Sequence, residues 1–195
     1  MSGALTANNL RLMDVALAHA FAGLGTTAPN PSVGCVIARD GRIIATGATA
    51  PGGRPHAEAQ ALEKAGEAAR GADVYVTLEP CSHQGETPPC ASALIRADVA
   101  RVFVACTDPD VRVSGRGIAM LREAGIEVIE DVRQKEGEAI NAGFFTRVRT
   151  GLPLVLQDRR PNIFDADLVP GPGESIDAAL QRLGREGMTR VRVAL

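Results

Sequence analysis

Apolar and polar positions alternate along the chain with two different periods, which predict a series of helices and strands. Residues 8–25 carry apolar side chains at helical spacing and end in glycine. Two short apolar runs follow at 33–38 and 42–47, with Asp40 and Gly41 between them. Because glycine tolerates the positive φ of a tight turn, this arrangement predicts a β-hairpin.

Helices and buried strands then alternate up to about residue 150. An alanine- and glutamate-rich helix is predicted over 56–70, stopped by Gly71. Strands are predicted at 73–78, 101–106 and 126–130, and further helices at 90–97, 117–125 and 133–147. Strands separated by helices of this length favour parallel pairing with right-handed crossovers. We therefore expect a three-layer α/β/α fold, with helices on both faces of a mixed five-stranded sheet.

The character of the sequence changes after Gly151. Residues 151–157 could form a strand, but 158–175 are rich in proline, glycine and aspartate and are interpreted as a poorly structured linker. A short amphipathic helix over 175–187 and an alternating strand over 189–195 follow. A segment this small cannot bury a core of its own, so it packs on residues 1–150, pairs with another chain or is partly disordered.

Composition and charge narrow the classes of function. The 195 residues carry a formal net charge of −2, and aromatic residues make up 3% with no tryptophan. Neither property favours binding to nucleic acid or to an anionic membrane. No apolar run approaches the ~20 residues of a membrane span and no secretory signal is visible, so we expect a cytoplasmic protein. Four cysteines in a reducing compartment indicate ligands or buried thiols before disulfides.

Three side chains of the metal-ligand type fall at predicted boundaries between strands and helices. His56 follows Pro55 at the start of a helix, Cys81 comes soon after a strand, and Cys90 begins the next helix. The carboxyl ends of strands and the amino ends of helices form the same rim of an α/β sheet, where such folds build their sites. The helix dipole favours a thiolate at a helix N-terminus, so both cysteines are positioned to be deprotonated.

One histidine and two cysteines give three protein ligands, and this number indicates catalysis. A structural zinc site is normally closed by four ligands, whereas a catalytic site leaves the fourth position to a water, whose pKa zinc lowers to about 7. Glu58 is the candidate for moving protons at such a site. Residues two apart diverge within a helix, so His56 and Glu58 converge only in its first turn, the location that Pro55 predicts.

This pattern is close to the signature of nucleobase deaminases, His-x-Glu with a later Pro-Cys-x-x-Cys, except that eight residues separate the two cysteines here. The residues of this pattern also have other interpretations. Two cysteines so spaced could be buried thiols, and the site would be structural if His83 supplied a fourth ligand. His83 could also contact a substrate or orient the loop between the cysteines. Cys35 in the first strand is expected to be a buried apolar residue.

Longer stretches around these residues resemble a known family. PHAEAQAL at 55–62, TLEPCSHQGETPPC at 77–90 and RVFVACTDPD at 101–110 are similar to the deaminase half of the bifunctional riboflavin-biosynthesis deaminase/reductase, the RibD family of the cytidine deaminase-like superfamily. APNPSVGCVI at 28–37 and LREAGIEV at 121–128 fit the same pattern. The resemblance covers about residues 10–150 and implies a zinc-dependent deaminase domain over 1–150, with a short remnant of the reductase domain over 151–195.

The resemblance also implies a reaction. Family members bind one zinc ion per chain through the residues matching His56, Cys81 and Cys90, and use the residue matching Glu58 as proton donor. They hydrolyse the 2-amino group of 2,5-diamino-6-ribosylamino-4(3H)-pyrimidinone 5′-phosphate to ammonia and 5-amino-6-(5-phosphoribosylamino)uracil. Contacts to this pyrimidine nucleotide are expected from Asn30, Thr49, Ser82, His83 and Asp108. The Pro-Asn-Pro around Asn30 could instead be only a rigid turn.

Some positions depart from the family pattern. Thr49 stands where the family often has histidine, Glu86 where it usually has arginine or lysine, and Asp110-Val111 where it tends to have Asn-Pro. A basic residue suits a substrate phosphate and an acidic one repels it. The missing charge could come from another arginine: Arg54, Arg112 or Arg116. These departures motivate an alternative substrate, a different small heterocycle.

The short C-terminal segment bears on the second activity of the family. A remnant of this length cannot fold a dinucleotide site, so we expect no reductase activity, no NADPH and a separate reductase polypeptide in the pathway. The other expected partners are the small-molecule substrate and further copies of the chain in a homo-oligomer. The exposed last strand motivates a different hypothesis, a non-catalytic zinc-stabilised scaffold that pairs with another subunit. Such a scaffold would have no need of Glu58.

Overall fold

A mixed five-stranded sheet forms the centre of the protein. The computed structural model describes residues 5–83, 88–109 and 114–193. The strands of this sheet are β1 (Gly34–Arg39), β2 (Arg42–Ala48), β3 (Asp73–Val76), β4 (Arg101–Val104) and β5 (Glu127–Ile129). They lie in the order β2-β1-β3-β4-β5, with β1 antiparallel to β2 and β3, and with β3, β4 and β5 parallel. The sequence predicted this mixture of antiparallel and parallel pairing from the Asp-Gly turn and from the helices between the later strands.

Helices cover both faces of the sheet. The elements are α1 (Ala7–Ala22), α2 (Ala57–Ala65), α3 (Cys90–Arg96), α4 (Arg116–Glu123) and α5 (Gln134–Thr150). On one face, Val74 and Val76 pack with α2, α3 and α4. On the other face, Tyr75 packs under α1, with its ring stacked on Phe103 at 4.5 Å. Burial on both faces explains why the strands are continuous apolar runs, and the predicted three-layer fold is confirmed.

No helix in the described part of the chain combines the length and the apolar character that crossing a bilayer requires.

One edge of the sheet collects the segments that carry the candidate site. Gly34 pairs with Ala48, Cys35 with Val76, and Val76 with Val104, so the start of β1 and the ends of β2, β3 and β4 lie together. The loops that leave these strand ends therefore bring side chains from distant parts of the sequence to one place.

The C-terminal residues form a second, smaller sheet. Its elements are β6 (Leu154–Gln157), β7 (Ala166–Asp167), α6 (Ile176–Arg185) and β8 (Arg190–Val193), with the strands parallel in the order β6-β8-β7. Ile163 and Phe164 are buried against Leu24, in the loop after α1. The prediction of a poorly structured linker over 158–175 is wrong for residues 163–167, which contain the buried side chains of Ile163 and Phe164 and the strand β7. Of the three alternatives for the C-terminal segment, the structure shows packing on the rest of the chain.

Asp165 joins the starts of the neighbouring strands β7 and β8. Its carboxylate accepts hydrogen bonds from the backbone N–H groups of Thr189 at 2.7 Å and Arg190 at 2.9 Å, and from the Thr189 hydroxyl at 2.8 Å. The bonded residues are 24 and 25 positions apart in sequence, so no local pattern could have indicated the pairing. Asp165, an acidic residue of the predicted linker, is thus a hydrogen-bond acceptor that stabilises the smaller sheet.

Candidate metal centre and active site

His56, Cys81 and Cys90 reach the same point from three different elements. His56 is the N-cap of α2, Cys81 lies in the loop after β3, and Cys90 is the first residue of α3. The Nδ1 atom of His56 lies 3.4 Å from Cys90 Sγ and 3.7 Å from Cys81 Sγ. All three ligand atoms lie within 4.8 Å of one another. The residues chosen from sequence as metal ligands are therefore adjacent in space.

The spacing and the types of donor atom fit a tetrahedral zinc ion. Zn–S bonds of about 2.3 Å and Zn–N bonds of about 2.0 Å at tetrahedral angles place nitrogen and sulfur about 3.5 Å apart. The observed separations of 3.4 and 3.7 Å lie on either side of this value. Within the described residues the group has three members. His83 is exposed and lies outside the group, so the geometry gives no support to a structural site closed by this histidine.

Hydrogen bonds among the ligands set their protonation. Cys81 Sγ accepts a hydrogen bond from the Cys90 backbone N–H at 3.2 Å. The Cys90 thiol contributes most to lowering the pKa of Cys81 to about 4, with further contributions from the His56 side chain and this N–H group. The same pairing, together with burial, raises the pKa of Cys90. Deprotonation of both thiols stays a prediction for the metal-bound site, because a metal displaces the protons of the thiols that bind it.

Glu58 is buried beside the three ligands. It is the second residue of α2 and is 4% exposed. His56 has an extended backbone, with φ −67° and ψ 159°, so the divergence of about 200° between residues two apart in a helix does not apply. Pro55 is not the first helical residue, as the sequence suggested, because α2 begins two residues later at Ala57. This later start keeps His56 outside the helix, where it can face the same point as Glu58.

Burial also changes the acid–base properties of Glu58. Desolvation raises the pKa of its carboxyl group to about 7, and the negative charge of Cys81 adds to the shift. A hydrogen bond with the Cys90 side chain acts in the opposite direction. The carboxyl group of Glu58 therefore contacts Cys90, a candidate ligand, but does not belong to the ligand group itself.

A cavity of about 240 Å³ opens beside this group. Part of its wall is apolar and comes from the strand edge and from α5: Val33, Leu78, Phe144 and Val148. Phe144 and Val148 were not predicted as site residues, because their spacing of four on a helix is the same as that of core residues. Ligand cavities commonly combine such walls with a few polar groups.

Four of the five residues expected to contact substrate line this cavity. These are Asn30, Thr49, His83 and Asp108, whereas Ser82 is half-buried and is not among the described lining residues. The Thr49 hydroxyl accepts a hydrogen bond from the Val33 backbone N–H at 3.0 Å, so it also holds the start of β1.

Only some of the positions discussed as departures from the family pattern lie among the described residues. Glu86, Asp110, Val111 and Arg112 lie outside the described residues. Arg116 is exposed in the first turn of α4 and is not among the described residues that line the cavity. Arg54 does line it.

Glu79 is a site residue that the sequence analysis missed. Its carboxylate is 5% exposed and accepts hydrogen bonds from the backbone N–H groups of Gly115 and Gly117 at 2.9 Å, and of Asp108 at 3.4 Å. These partners are 29 to 38 positions away, which is why spacing gave no signal. A Cβ on Gly117 would lie 1.9 Å from the Pro80 carbonyl oxygen, so only glycine allows this approach. Glu79 thus fixes the loop that carries Asp108.

Replacing Glu79 by alanine is expected to lower the free energy of unfolding by about 2 to 3 kcal/mol, because hydrogen bonds to a charged acceptor are lost and buried N–H groups are left unpaired. Chemical denaturation measures this change. Glu123→Ala, an exposed residue at the end of α4, is the matched control and should change the unfolding free energy by less than about 0.5 kcal/mol. Equal stability of the two variants would show that the Glu79 carboxylate does not hold the loop.

The sequence and the fold are both similar to known proteins. The family model for the cytidine and deoxycytidylate deaminase zinc-binding region matches residues 6–106. Riboflavin biosynthesis protein RibD of Escherichia coli (strain K12) is 53% identical over 140 residues, which cover 72% of this chain and 38% of that protein. The chain therefore spans well under half the length of this relative.

Two further relatives match over most of their length. The diaminohydroxyphosphoribosylamino-pyrimidine deaminase of Buchnera aphidicola subsp. Acyrthosiphon pisum is 45% identical over 146 residues, which cover 75% of this chain and 99% of that protein. The structure of a diaminohydroxyphosphoribosylaminopyrimidine deaminase/5-amino-6-(5-phosphoribosylamino)uracil reductase from Thermotoga maritima superposes with a TM-score of 0.84 at 27% identity, covering 95% of this chain and 80% of that one.

Proposed function

Because this chain belongs to the cytidine and deoxycytidylate deaminase family, and within it to the RibD-type deaminases, we propose that it is a hydrolytic deaminase. The proposed substrate is 2,5-diamino-6-ribosylamino-4(3H)-pyrimidinone 5′-phosphate, which would yield 5-amino-6-(5-phosphoribosylamino)uracil and ammonia. One observation carries the proposal. The Glu58 carboxyl group is buried beside a three-membered His/Cys/Cys group at a cavity. A metal centre with a purely structural role would not need a carboxyl group there.

His56, Cys81 and Cys90 are the proposed ligands of one zinc ion. When bound, zinc supplies Lewis-acid chemistry, which lowers the pKa of water to about 7 and makes a nucleophile available at neutral pH. The low pKa of Cys81 favours the thiolate that a metal requires. The hydrogen bond with Cys81 raises the pKa of His56, so metal binding would displace the proton of this imidazole. Three ligands from the protein would leave a further position on the ion open to water.

Glu58 moves protons within the site. It takes a proton from the attacking water as the new bond between oxygen and ring C2 forms. It passes this proton to the ring nitrogen whose double bond to C2 opens. It then takes the second proton from the added hydroxyl group and delivers it to the 2-amino nitrogen as the C2–N bond breaks, so that this nitrogen leaves as ammonia and a carbonyl group forms at C2. Because Glu58 is almost fully buried, bulk water does not compete with it for these protons.

The cavity orients the ring. The proposed position of the ring is against Val33, Leu78 and Phe144, with polar contacts from Asn30 and Asp108; all five residues line the cavity. Residues 151–195 are proposed to have neither reductase activity nor an NADPH site, and a separate reductase polypeptide in the pathway stays a prediction. Assembly into a homo-oligomer stays a prediction.

The test is ammonia release from the phosphorylated diaminopyrimidine by purified protein loaded with one zinc ion per chain. We expect one ammonia for each uracil product formed. Cytidine and deoxycytidylate serve as comparison substrates, and NADPH oxidation in the presence of the uracil product tests for reductase activity. Turnover of cytidine but not of the diaminopyrimidine would overturn the proposed substrate, and turnover of no pyrimidine would favour a scaffold.

A further inference from the structure

An arginine at the rim of the cavity has no part in the chemistry described above. Arg54 lines the cavity together with His56 and Glu58, and its side chain is exposed. Among the described lining residues it is the one that carries a permanent positive charge, whereas Glu58, Glu79 and Asp108 contribute carboxyl groups. An anion that enters this cavity therefore needs Arg54 to offset repulsion by the acidic groups.

We propose that Arg54 binds the phosphate group of the substrate and thereby selects phosphorylated over unphosphorylated pyrimidine ribosides. This inference rests on the proposed function, since it concerns the second end of the same substrate. A guanidinium group forms two parallel hydrogen bonds with a phosphate, a geometry that distinguishes it from a neutral ribose hydroxyl.

The positions of Glu58 and Arg54 give the cavity a direction. Glu58 is 4% exposed and marks its inner end, and Arg54 is exposed and marks its rim. A substrate whose amino group reaches Glu58 must place its ring against the apolar walls. Its ribosyl phosphate arm is the most strongly hydrated part and then points outward. Among the described residues that line the cavity, Arg54 is the one whose charge is opposite to that of the phosphate.

The backbone before Arg54 is held in place by hydrogen bonds. Gly52 N–H donates to the Thr26 carbonyl oxygen at 2.8 Å, and Ala50 N–H donates to the Pro55 carbonyl oxygen at 3.1 Å. The first bond ties the loop to the segment after α1, and the second joins the residues on either side of Arg54 to each other. A guanidinium on a fixed backbone loses less conformational entropy when it binds a ligand.

Gly53 connects this loop to the part of the cavity that holds the ring. Its φ is +91°, and a Cβ there would lie 2.0 Å from the side-chain nitrogen of Asn30. The loop therefore packs directly on Asn30, which is expected to contact the pyrimidine. The residue proposed for the phosphate and the residue expected at the ring are thus held at a fixed separation.

The experiment compares two substrates, the phosphorylated diaminopyrimidine riboside and its dephosphorylated form, in four proteins: the native chain, Arg54→Gln, Arg54→Lys and Arg42→Gln. Arg42 is exposed on β2 near the hairpin turn, so its replacement removes one positive charge without touching the cavity. For the phosphorylated substrate, Arg54→Gln is expected to raise KM by about 10- to 100-fold with kcat changed less than about twofold, as for loss of a charge-assisted hydrogen bond. Arg54→Lys should recover part of this loss.

The two substrates separate the possible outcomes. KM for the dephosphorylated form should be the same in all four proteins, and added salt should raise KM for the phosphorylated form in the native chain more than in Arg54→Gln. An unchanged KM for the phosphorylated form in Arg54→Gln overturns the inference while leaving the proposed function in place. So does an equal loss with both substrates, because Arg54 then acts on the fold. Failure of the native chain to deaminate the phosphorylated substrate overturns the proposed function itself.

Discussion

Replacing Glu58 by glutamine is expected to reduce kcat by about 10²- to 10⁴-fold, the range contributed by a positioned general acid–base group, while zinc stays bound. Glutamine has the same shape but neither accepts nor releases a proton at neutral pH. The variant should still fold, because burial disfavours the charged form of Glu58 and the neutral amide avoids that cost. Its free energy of unfolding should therefore equal or exceed that of the native chain.

Two measurements check this prediction on the same sample: the rate of ammonia release and the zinc content per chain. Glu63→Gln is the matched control, since Glu63 is on the same helix but exposed, and it should leave both values unchanged. If Glu58→Gln keeps more than a tenth of native kcat, another group moves the proton. If it loses zinc, Glu58 belongs to the ligand set and the assignment of three ligands is wrong.

Replacing Cys81 by serine is expected to abolish both zinc retention and deamination. A serine hydroxyl is a poor ligand beside a thiolate, and the low pKa of Cys81 marks it as the sulfur that is already ionised. Zinc stabilises the fold by mass action, by about 4 kcal/mol when its free concentration is 1,000 times Kd. The native chain should therefore gain thermal stability when zinc is added, and Cys81→Ser should gain none.

Cys106→Ala is the matched control for this experiment. Cys106 is 2% exposed, and its thiol donates a hydrogen bond to the Thr77 carbonyl oxygen at 3.3 Å. It lies outside the ligand group, so its loss should cost about 1 kcal/mol of stability but leave zinc content and activity intact. Retention of zinc by Cys81→Ser after dialysis against a chelator would contradict the proposed centre, as would loss of zinc from Cys106→Ala.

Several features could be predicted from the sequence because they depend on neighbouring residues. Asp40 and Gly41 between two apolar runs indicate the β1–β2 hairpin, and the apolar runs at β3, β4 and β5 indicate strands buried on both faces. The meeting of His56, Cys81 and Cys90 follows from one further rule, that strand ends and helix starts share a rim. Local periodicity, turn chemistry and a general rule of chain topology were sufficient for the fold and for the candidate metal centre.

Other features required the tertiary structure. The start of α2 at Ala57, two residues after Pro55, could not be read from residue types and spacing alone. The lowered pKa of Cys81 and the raised pKa of Cys90 depend on the contact between their side chains, which residue types alone do not show.

What the sequence determined by itself was the three-layer fold and the residues that could bind zinc and transfer a proton. What only the tertiary structure decided was the set of long-range contacts: Glu79 with the loop before α4, Asp165 with the start of β8, and Phe144 in the cavity wall. The physical reason is the same in each case. A hydrogen bond or an apolar contact between residues far apart in sequence depends on how the elements pack, and residue spacing carries no information about that packing.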